Sequence, residues 1–262
     1  MEEKEPTEEA GLGPIPWTVG DVARGIGVAI GVVLVIALGL GLVTVLLIGP
    51  GALEELASQD FTFAEFINLL TREGVLQQWM VILLVGMVVG EGAMPLAAWL
   101  FSALKYRCGW QVLGFRPFKV RRGLILAALV ALVGLLVSVL YEILMTALGV
   151  EPSYTFPPEF TETGLGLATL AVIAVMVAPF AEETFFRGFL FTGIGNRYGY
   201  GWGAVVSALL FSLAHMQPGA LLPVFILGLF LAWLYMRTGS IWTCIFAHFA
   251  YNSLALLFMI IY

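Results

Sequence analysis

Seven stretches of this chain run for about the length of a bilayer crossing with few or no charges. In lipid no water is available to the backbone, so each amide must find its partner inside the protein, and a single spanning segment does this as an α-helix. A helical crossing takes roughly 20 mostly apolar residues. The candidates are 22–49, 76–104, 123–148, 165–194, 202–216, 219–237 and 240–261. The fifth and sixth are short and meet at Gln217-Pro218-Gly219, so they read as tilted spans or a re-entrant pair. The second contains Gly90-Glu91-Gly92 and Pro95, which predict a kink or break. The expected fold is an all-α polytopic transmembrane helical bundle of about seven spans, six to eight depending on how these two places are counted.

Composition closes the alternatives. Apolar residues make up 60 % of the chain and charged residues 11 %, with mean hydropathy +0.98. So few charges cannot cover a water-soluble globule, and disorder has the opposite signature. Cys108 and Cys244 allow no disulfide framework and no CxxC site. Outside one loop there is no basic patch with interleaved aromatics, so no nucleic-acid partner is expected. The first ten residues are acidic and lack the basic start of a signal peptide. Residues 1–16 read as a disordered acidic tail, 17–164 as N-terminal spans, and 165–262 as a separate helical core.

Orientation follows from Lys and Arg in short loops. The segment 105–122 holds Lys105, Arg107, Arg116, Lys119, Arg121 and Arg122, six of the 12 basic residues. That loop is expected in the cytoplasm, with the N-terminus, Arg197 and Arg237 on the same side. The acidic loops 50–75 and 151–164 fall opposite; in a bacterium this topology is that of the plasma membrane. Gly27-xxx-Gly31 and Gly86-xxx-Gly90 are spacings that let helices approach closely, within the chain or between copies.

An ionisable side chain at mid-membrane costs about 2.5–3.5 kcal/mol on the insertion scale, so each one is a functional candidate. Glu182, Glu183 and Arg187 lie in the fourth span, Phe211 and His215 in the fifth, His248 and Asn252 in the seventh. The chain has 2 histidines, and both are inside apolar runs. Glu183 and Arg187 are four apart with the acid first, the better orientation for a helical ion pair. Glu182 should point about 100° away from Glu183, toward a different neighbour. Phe211 and His215, and His248 and Asn252, also share faces. Counting about 1.5 Å per residue from the cytoplasmic ends puts Glu182, His215 and Asn252 roughly 18–20 Å deep and His248 near 12 Å. Glu142 lies near an outer end and can snorkel. Glu91, at the Gly/Pro break, is expected to bond freed backbone amides.

Interhelical hydrogen bonding is the bland reading of any one of these residues. A structural ion pair is the bland reading of Glu183 and Arg187. Together they suit hydrolysis. No serine or cysteine stands at this depth beside a base, and HExxH and phosphate loops are absent. In one scheme Glu182 is a general base for a water held with His215, and His248 and Asn252 donate to the oxyanion. In the other, His215, His248 and Glu182 bind Zn²⁺ with an open water position. Asn252 is a poor zinc ligand and a good oxyanion donor, which favours the scheme without metal or other cofactor.

The motifs also carry a resemblance. Glu182-Glu183-Thr184-Phe185-Phe186-Arg187 fits EExxxR, Phe211 to His215 fits FxxxH, and His248 to Asn252 fits HxxxN. In this order they resemble the CAAX-protease and bacteriocin-processing membrane family, closely over about 165–258, with Leu113-Gly114-Phe115 preceding the third span. The resemblance implies an intramembrane endopeptidase of the glutamate type. Carried over, Glu182 is the base, His215 its water-holding partner, His248 and Asn252 the oxyanion pair, and Glu183, Arg187 and Phe211 the support. Implied partners are the bilayer and a membrane-anchored substrate, either a prenylated CAAX peptide or a small hydrophobic peptide. Relatives acting in bacteriocin immunity or as scaffolds keep a non-catalytic reading open. A transporter is disfavoured because paired inverted repeats are not visible.

The topology has a direct check. A cysteine introduced in 105–122 should react with an impermeant thiol reagent only from the cytoplasmic face, and one in 151–164 only from the other. Reversed labelling would overturn the orientation.

Overall fold

A computed structural model of the protein describes residues 12, 14–48, 76–150 and 164–261. Nearly all of the expected tail, the acidic loop 50–75 and all but the last residue of 151–164 lie outside them. No strand occurs among the described residues. The first helices are α1 (Val19–Ile48), α2 (Leu76–Trp99) and α3 (Val120–Ala147). A composite rod follows: α4 (Gly164–Val172), a π segment (Ile173–Val177), α5 (Ala178–Glu182), a second π segment (Glu183–Phe191) and α6 (Thr192–Tyr198). The chain ends with α7 (Tyr200–Ala214), α8 (Leu221–Thr238) and α9 (Ile241–Ile261).

Among the described residues six apolar helices are long enough to cross a membrane, and α7 is shorter. Their outward faces are large apolar side chains, among them Leu38 at 75 % exposure and Val35 at 70 %. Only lipid can cover such a surface. The protein is an integral, multi-pass membrane protein.

The predicted break in the second span is displaced. α2 continues through Pro95 to Trp99 and then widens into a π turn, Leu100–Leu104. Packing against neighbouring helices lets a membrane helix tolerate the amide that proline lacks. Gly86 and Gly90 do permit close approach, since a Cβ there would stand 3.0 and 3.8 Å from Ile36 of α1. Gly27 and Gly31 have no such neighbour within 4 Å.

The rod is the centre of the bundle. α2, with α1 behind it, packs on one side, α7 and α9 pack on the others, and α3 lies outside against α8 and α9. α1 begins with a capping box: Asp21 N donates to Thr18 Oγ1 (3.3 Å) and Thr18 N to Asp21 Oδ2 (3.1 Å). The fully buried Asp21 carboxylate also accepts from Lys105 Nζ (2.5 Å) and Tyr106 Oη (2.7 Å), tying α1 to the end of α2. Its hydrogen bond pushes the Lys105 ammonium above the ordinary lysine value. Trp17 Nε1 donates to the Phe189 carbonyl (3.1 Å) of the second π segment.

Leu113-Gly114-Phe115 closes the basic end. Leu113 is fully buried in the core, Gly114 takes φ 91°, and its carbonyl accepts from Ile241 N (2.9 Å) at the start of α9. Only glycine adopts that φ without strain. α7 packs closely on the second π segment, since a Cβ on Gly203 would lie 2.8 Å from the Phe191 carbonyl.

At Gly188 a Cβ would stand 2.6 Å from the Leu113 carbonyl, a backbone atom that cannot swing aside. Gly188→Ala should therefore cost about 1–3 kcal/mol through overpacking. Gly27→Ala, with open space, should be neutral or slightly stabilising. Thermal melting of the two variants in detergent checks the contrast.

Candidate active site

The second π segment begins at Glu183, where the chain brings its polar residues together. π turns are rare and are found mostly at functional sites, because they change the angular spacing of side chains. All nine residues from Glu183 to Phe191 are buried. Their freed carbonyls have partners: Ser207 Oγ reaches Phe186 O (2.8 Å), and Thr192 Oγ1 reaches Gly188 O (2.5 Å).

Glu183 is the hub. Its Oε1 accepts from Arg187 Nη1 and from His248 Nδ1, each at 2.9 Å, and both charged side chains are 0 % exposed. Arg187 Nη2 reaches the Gly228 carbonyl on α8 (3.3 Å). Its guanidinium lies over the Phe211 ring, 4.2 Å from the centroid. The expected ion pair is present and has a third member, the α9 histidine.

Glu182 differs from its neighbour. Its side chain is 13 % exposed, and its Oε2 stands 3.7 Å from His248 Nε2, beyond a direct hydrogen bond. Both glutamates therefore face one imidazole across its two edges. The two meet that imidazole at different nitrogens, and Glu183 alone also meets Arg187. The depth estimate for His248 is corrected. The ring sits level with Glu182 and Glu183, and counting rise along one helix did not account for how α9 packs on the rod.

Phe211 joins the second histidine to this group. Its ring makes edge contacts with His215 (4.8 Å between centroids) and His248 (5.7 Å). His215 Nδ1 lies 2.8 Å from the Phe211 carbonyl. A carbonyl only accepts, so Nδ1 carries the proton and Nε2 is the acceptor in the neutral ring. No hydrogen bond joins His215 to Glu182. Asn252 is one turn beyond His248 on α9. Its Nδ2 donates to the Ala174 carbonyl (2.7 Å), in the first π segment. The structure thus gathers Glu182, Glu183, Arg187, Phe211, His248 and His215, and ties Asn252 to the rod a turn away.

Among the described residues, no three His, Cys, Asp or Glu side chains are placed to hold a metal ion. His248 directs both nitrogens at glutamates, and His215 holds Nδ1 against its own helix and leaves Nε2 free. Cys244 is buried, with Sγ 3.4 Å from the Leu231 carbonyl. Glu142 is exposed, as expected of a snorkelling residue.

Glu91 is the residue that sequence reasoning misplaced. Its Oε2 is buried with no hydrogen-bond partner. The freed-amide reading took Pro95 to open the helix, which it does not. An aromatic chain also went unread, because its members come from four separate segments. Trp99 stacks on Trp110 (6.3 Å), and Phe115 touches Trp110, Phe180 and Trp242 at 5.6, 5.7 and 5.4 Å.

Residues 164–254 match the family model described as Type II CAAX prenyl endopeptidase Rce1-like. Over this segment the chain is similar to that family. Glu182, Glu183, Arg187, Phe211, His215, His248 and Asn252 all lie inside the match. The chain is similar to a Bacillus subtilis protein named "Putative membrane peptidase YdiL", 30 % identical over 84 residues, 32 % of this chain and 34 % of that one. It is also similar to an Escherichia coli protein named "Uncharacterized 24.3 kDa protein", 32 % identical over 118 residues, 43 % of this chain and 54 % of that one. The chain thus spans about a third and about half of these curated relatives. No solved structure matches it.

Removing one member of a buried ion pair leaves an uncompensated charge and costs about 3–5 kcal/mol. Arg187→Met should therefore strongly lower the melting temperature in detergent. Glu183→Gln combined with Arg187→Met should recover part of the loss. A double variant no better than the single one would show that the pair does not act as a unit.

Proposed function

We propose that this protein is an intramembrane endopeptidase that hydrolyses membrane-anchored peptides with a water activated by Glu182. The observation that carries the reading is the contrast between the adjacent glutamates. Glu183 is held by Arg187 and His248, whereas Glu182 is uncommitted, partly open, and faces His248 Nε2 at 3.7 Å. The family match over 164–254 supports the same reaction class.

In this reading Glu182 takes a proton from water as the water oxygen attacks the peptide carbonyl carbon. His215, whose Nε2 is the free acceptor, holds that water. The carbonyl oxygen gains negative charge and is met by Nε2–H of His248 in its imidazolium form, whose Nδ1–H is held by Glu183, and by the second N–H of Asn252. The C–N bond then breaks, and Glu182 passes its proton to the leaving nitrogen. Glu183, Arg187 and Phe211 hold the groups that touch the reaction. The scheme is written without a metal because Asn252 is a poor zinc ligand and a good oxyanion donor.

Substrates are proposed from the setting. A site inside the bilayer is reached by peptides that are themselves anchored there, prenylated CAAX-type or small and hydrophobic. The aromatic chain of Trp99, Trp110, Phe115, Phe180 and Trp242 offers such anchors an apolar surface at the basic end of the bundle.

The test is turnover of a fluorogenic lipidated peptide by protein reconstituted in liposomes. Glu182→Gln should lower kcat by about 10²–10⁴-fold, the usual share of a general base, with the protein still folded. The unlipidated peptide and casein should be poor substrates, and chelator treatment should leave turnover intact. Full activity in Glu182→Gln, equal turnover of both peptides, or stoichiometric zinc that restores chelator-treated enzyme would overturn the corresponding part.

A further inference from the structure

The basic end of the bundle holds two cavities in which the reaction above has no part. One, of about 370 Å³, lies between the start of α3 and the end of α8, where Phe118, Lys119, Arg122, Arg237 and Thr238 line it. The other, of about 530 Å³, runs along the first turns of α3 past Val120, Ile125 and Leu126, and it shares Lys119 and Arg122 with the first. The first is walled by three cations, all of them exposed. The second is apolar, built from aliphatic side chains and the stems of the basic ones. Between them the floor is packed: Phe118 lies on Gly123, where no Cβ would fit, and the Thr238 and Thr243 hydroxyls share a hydrogen bond of 2.7 Å.

The three cations have no carboxylate. Among the described residues the acids in ion pairs are Asp21, Glu182 and Glu183, and their partners are Arg24, Lys105, Arg187 and His248. Glu142 lies toward the far end of α3, and Glu91 is on α2. Arg237 rests over the Trp233 ring, 5.5 Å from its centroid, a contact that steadies the guanidinium and leaves its N–H groups to bind an acceptor. The level of the cavities decides what that acceptor is. The apolar span of α3 begins at Val120 and that of α8 ends at Thr238, so both cavities sit where hydrocarbon gives way to headgroups. Val120 and Ile125, 62 % and 52 % exposed, face acyl chains. An anion that reaches this level with apolar chains of its own is a phospholipid. Guanidinium groups take phosphate oxygens in pairs, and three cations around one cavity repel the ammonium of a zwitterionic headgroup.

We propose that the two cavities form a binding site for one anionic glycerophospholipid. Its phosphate lies among Lys119, Arg122 and Arg237, and an acyl chain runs along Val120, Ile125 and Leu126. The lipid bridges the start of α3 to the end of α8 and neutralises charges that the protein leaves unpaired. None of these residues belongs to the candidate active site, so the site stands whether or not the protein cleaves peptides.

Thermal melting in a neutral detergent, followed as lipid is added, tests the site. Phosphatidylglycerol should raise the melting temperature to a plateau, as a ligand of the folded state does, and phosphatidylcholine should not. Lys119→Gln and Arg122→Gln should each weaken the apparent affinity for phosphatidylglycerol about fivefold, the share of one cation at an anionic surface. Arg197→Gln, which removes an exposed cation outside both cavities, should leave the response unchanged. Inorganic phosphate and glycerol 3-phosphate should not replace the lipid, because they have no acyl chain for the apolar cavity. Equal stabilisation by the two lipids or by free phosphate, or a loss in Arg197→Gln as large as in Arg122→Gln, would overturn the proposal. So would Lys119→Gln and Arg122→Gln proteins that melt well below wild type before any phosphatidylglycerol is added, since the cations would then already hold a carboxylate of the chain itself.

Discussion

One carboxylate oxygen, Oε1 of Glu183, joins three helical elements at the middle of the bundle. It accepts from Arg187 on its own π segment and from His248 on α9, and Arg187 extends the connection to the Gly228 carbonyl on α8. In a medium without water each of these groups would be expensive to bury alone, and together they compensate one another. Helix packing in lipid has no hydrophobic drive between helices, so polar links of this kind fix which faces meet. The orientation of His248, and through it the relation of α9 to the rod, depends on this node. Phe211 completes it, with Arg187 over its face and both histidine rings at close range.

The parts of the chain outside the family match support this node from the other side. Asp21 ties α1 to the end of α2, and Trp17 reaches the Phe189 carbonyl. That carbonyl also accepts from Thr192 Oγ1 at 3.2 Å. Leu113-Gly114-Phe115 works from the basic end: the Leu113 carbonyl lies against Gly188, and that of Gly114 accepts from Ile241. The short tripeptide seen in the sequence thus has a mechanical meaning. It plugs the rod against the start of α9, which keeps His248 in register with the two glutamates.

How much of this was legible in the sequence depended on whether the α-helical period held. The spans were readable because length and hydropathy dictate them. The pair Glu183–Arg187 was readable from its spacing of four, and so was the aromatic wall that Phe211 gives His215. The convergence of Glu182 and Glu183 on one histidine was not readable, because it depends on how α9 packs on the rod, which no local signal announces. Glu91 was misread since Pro95 suggested a broken helix with loose amides, whereas lateral packing keeps α2 intact to Trp99. The placement of Asn252 opposite Ala174 depends on a carbonyl in the first π segment, equally silent in sequence.

Two identical side chains, adjacent in sequence, have become chemically different here through their surroundings alone. Glu183 has a guanidinium and an imidazole on the same oxygen and no exposure, so it is held and sterically enclosed. Glu182 has no direct hydrogen bond to either histidine, retains some exposure, and faces an imidazole edge. A group that must accept and return a proton within one turnover needs that second environment, since a carboxylate locked in an ion pair gains little by protonation. Exchanging the two environments would exchange the roles, whatever the order of the residues in the motif. The division of labour within Glu182-Glu183 is therefore set by the side chains that surround each of them.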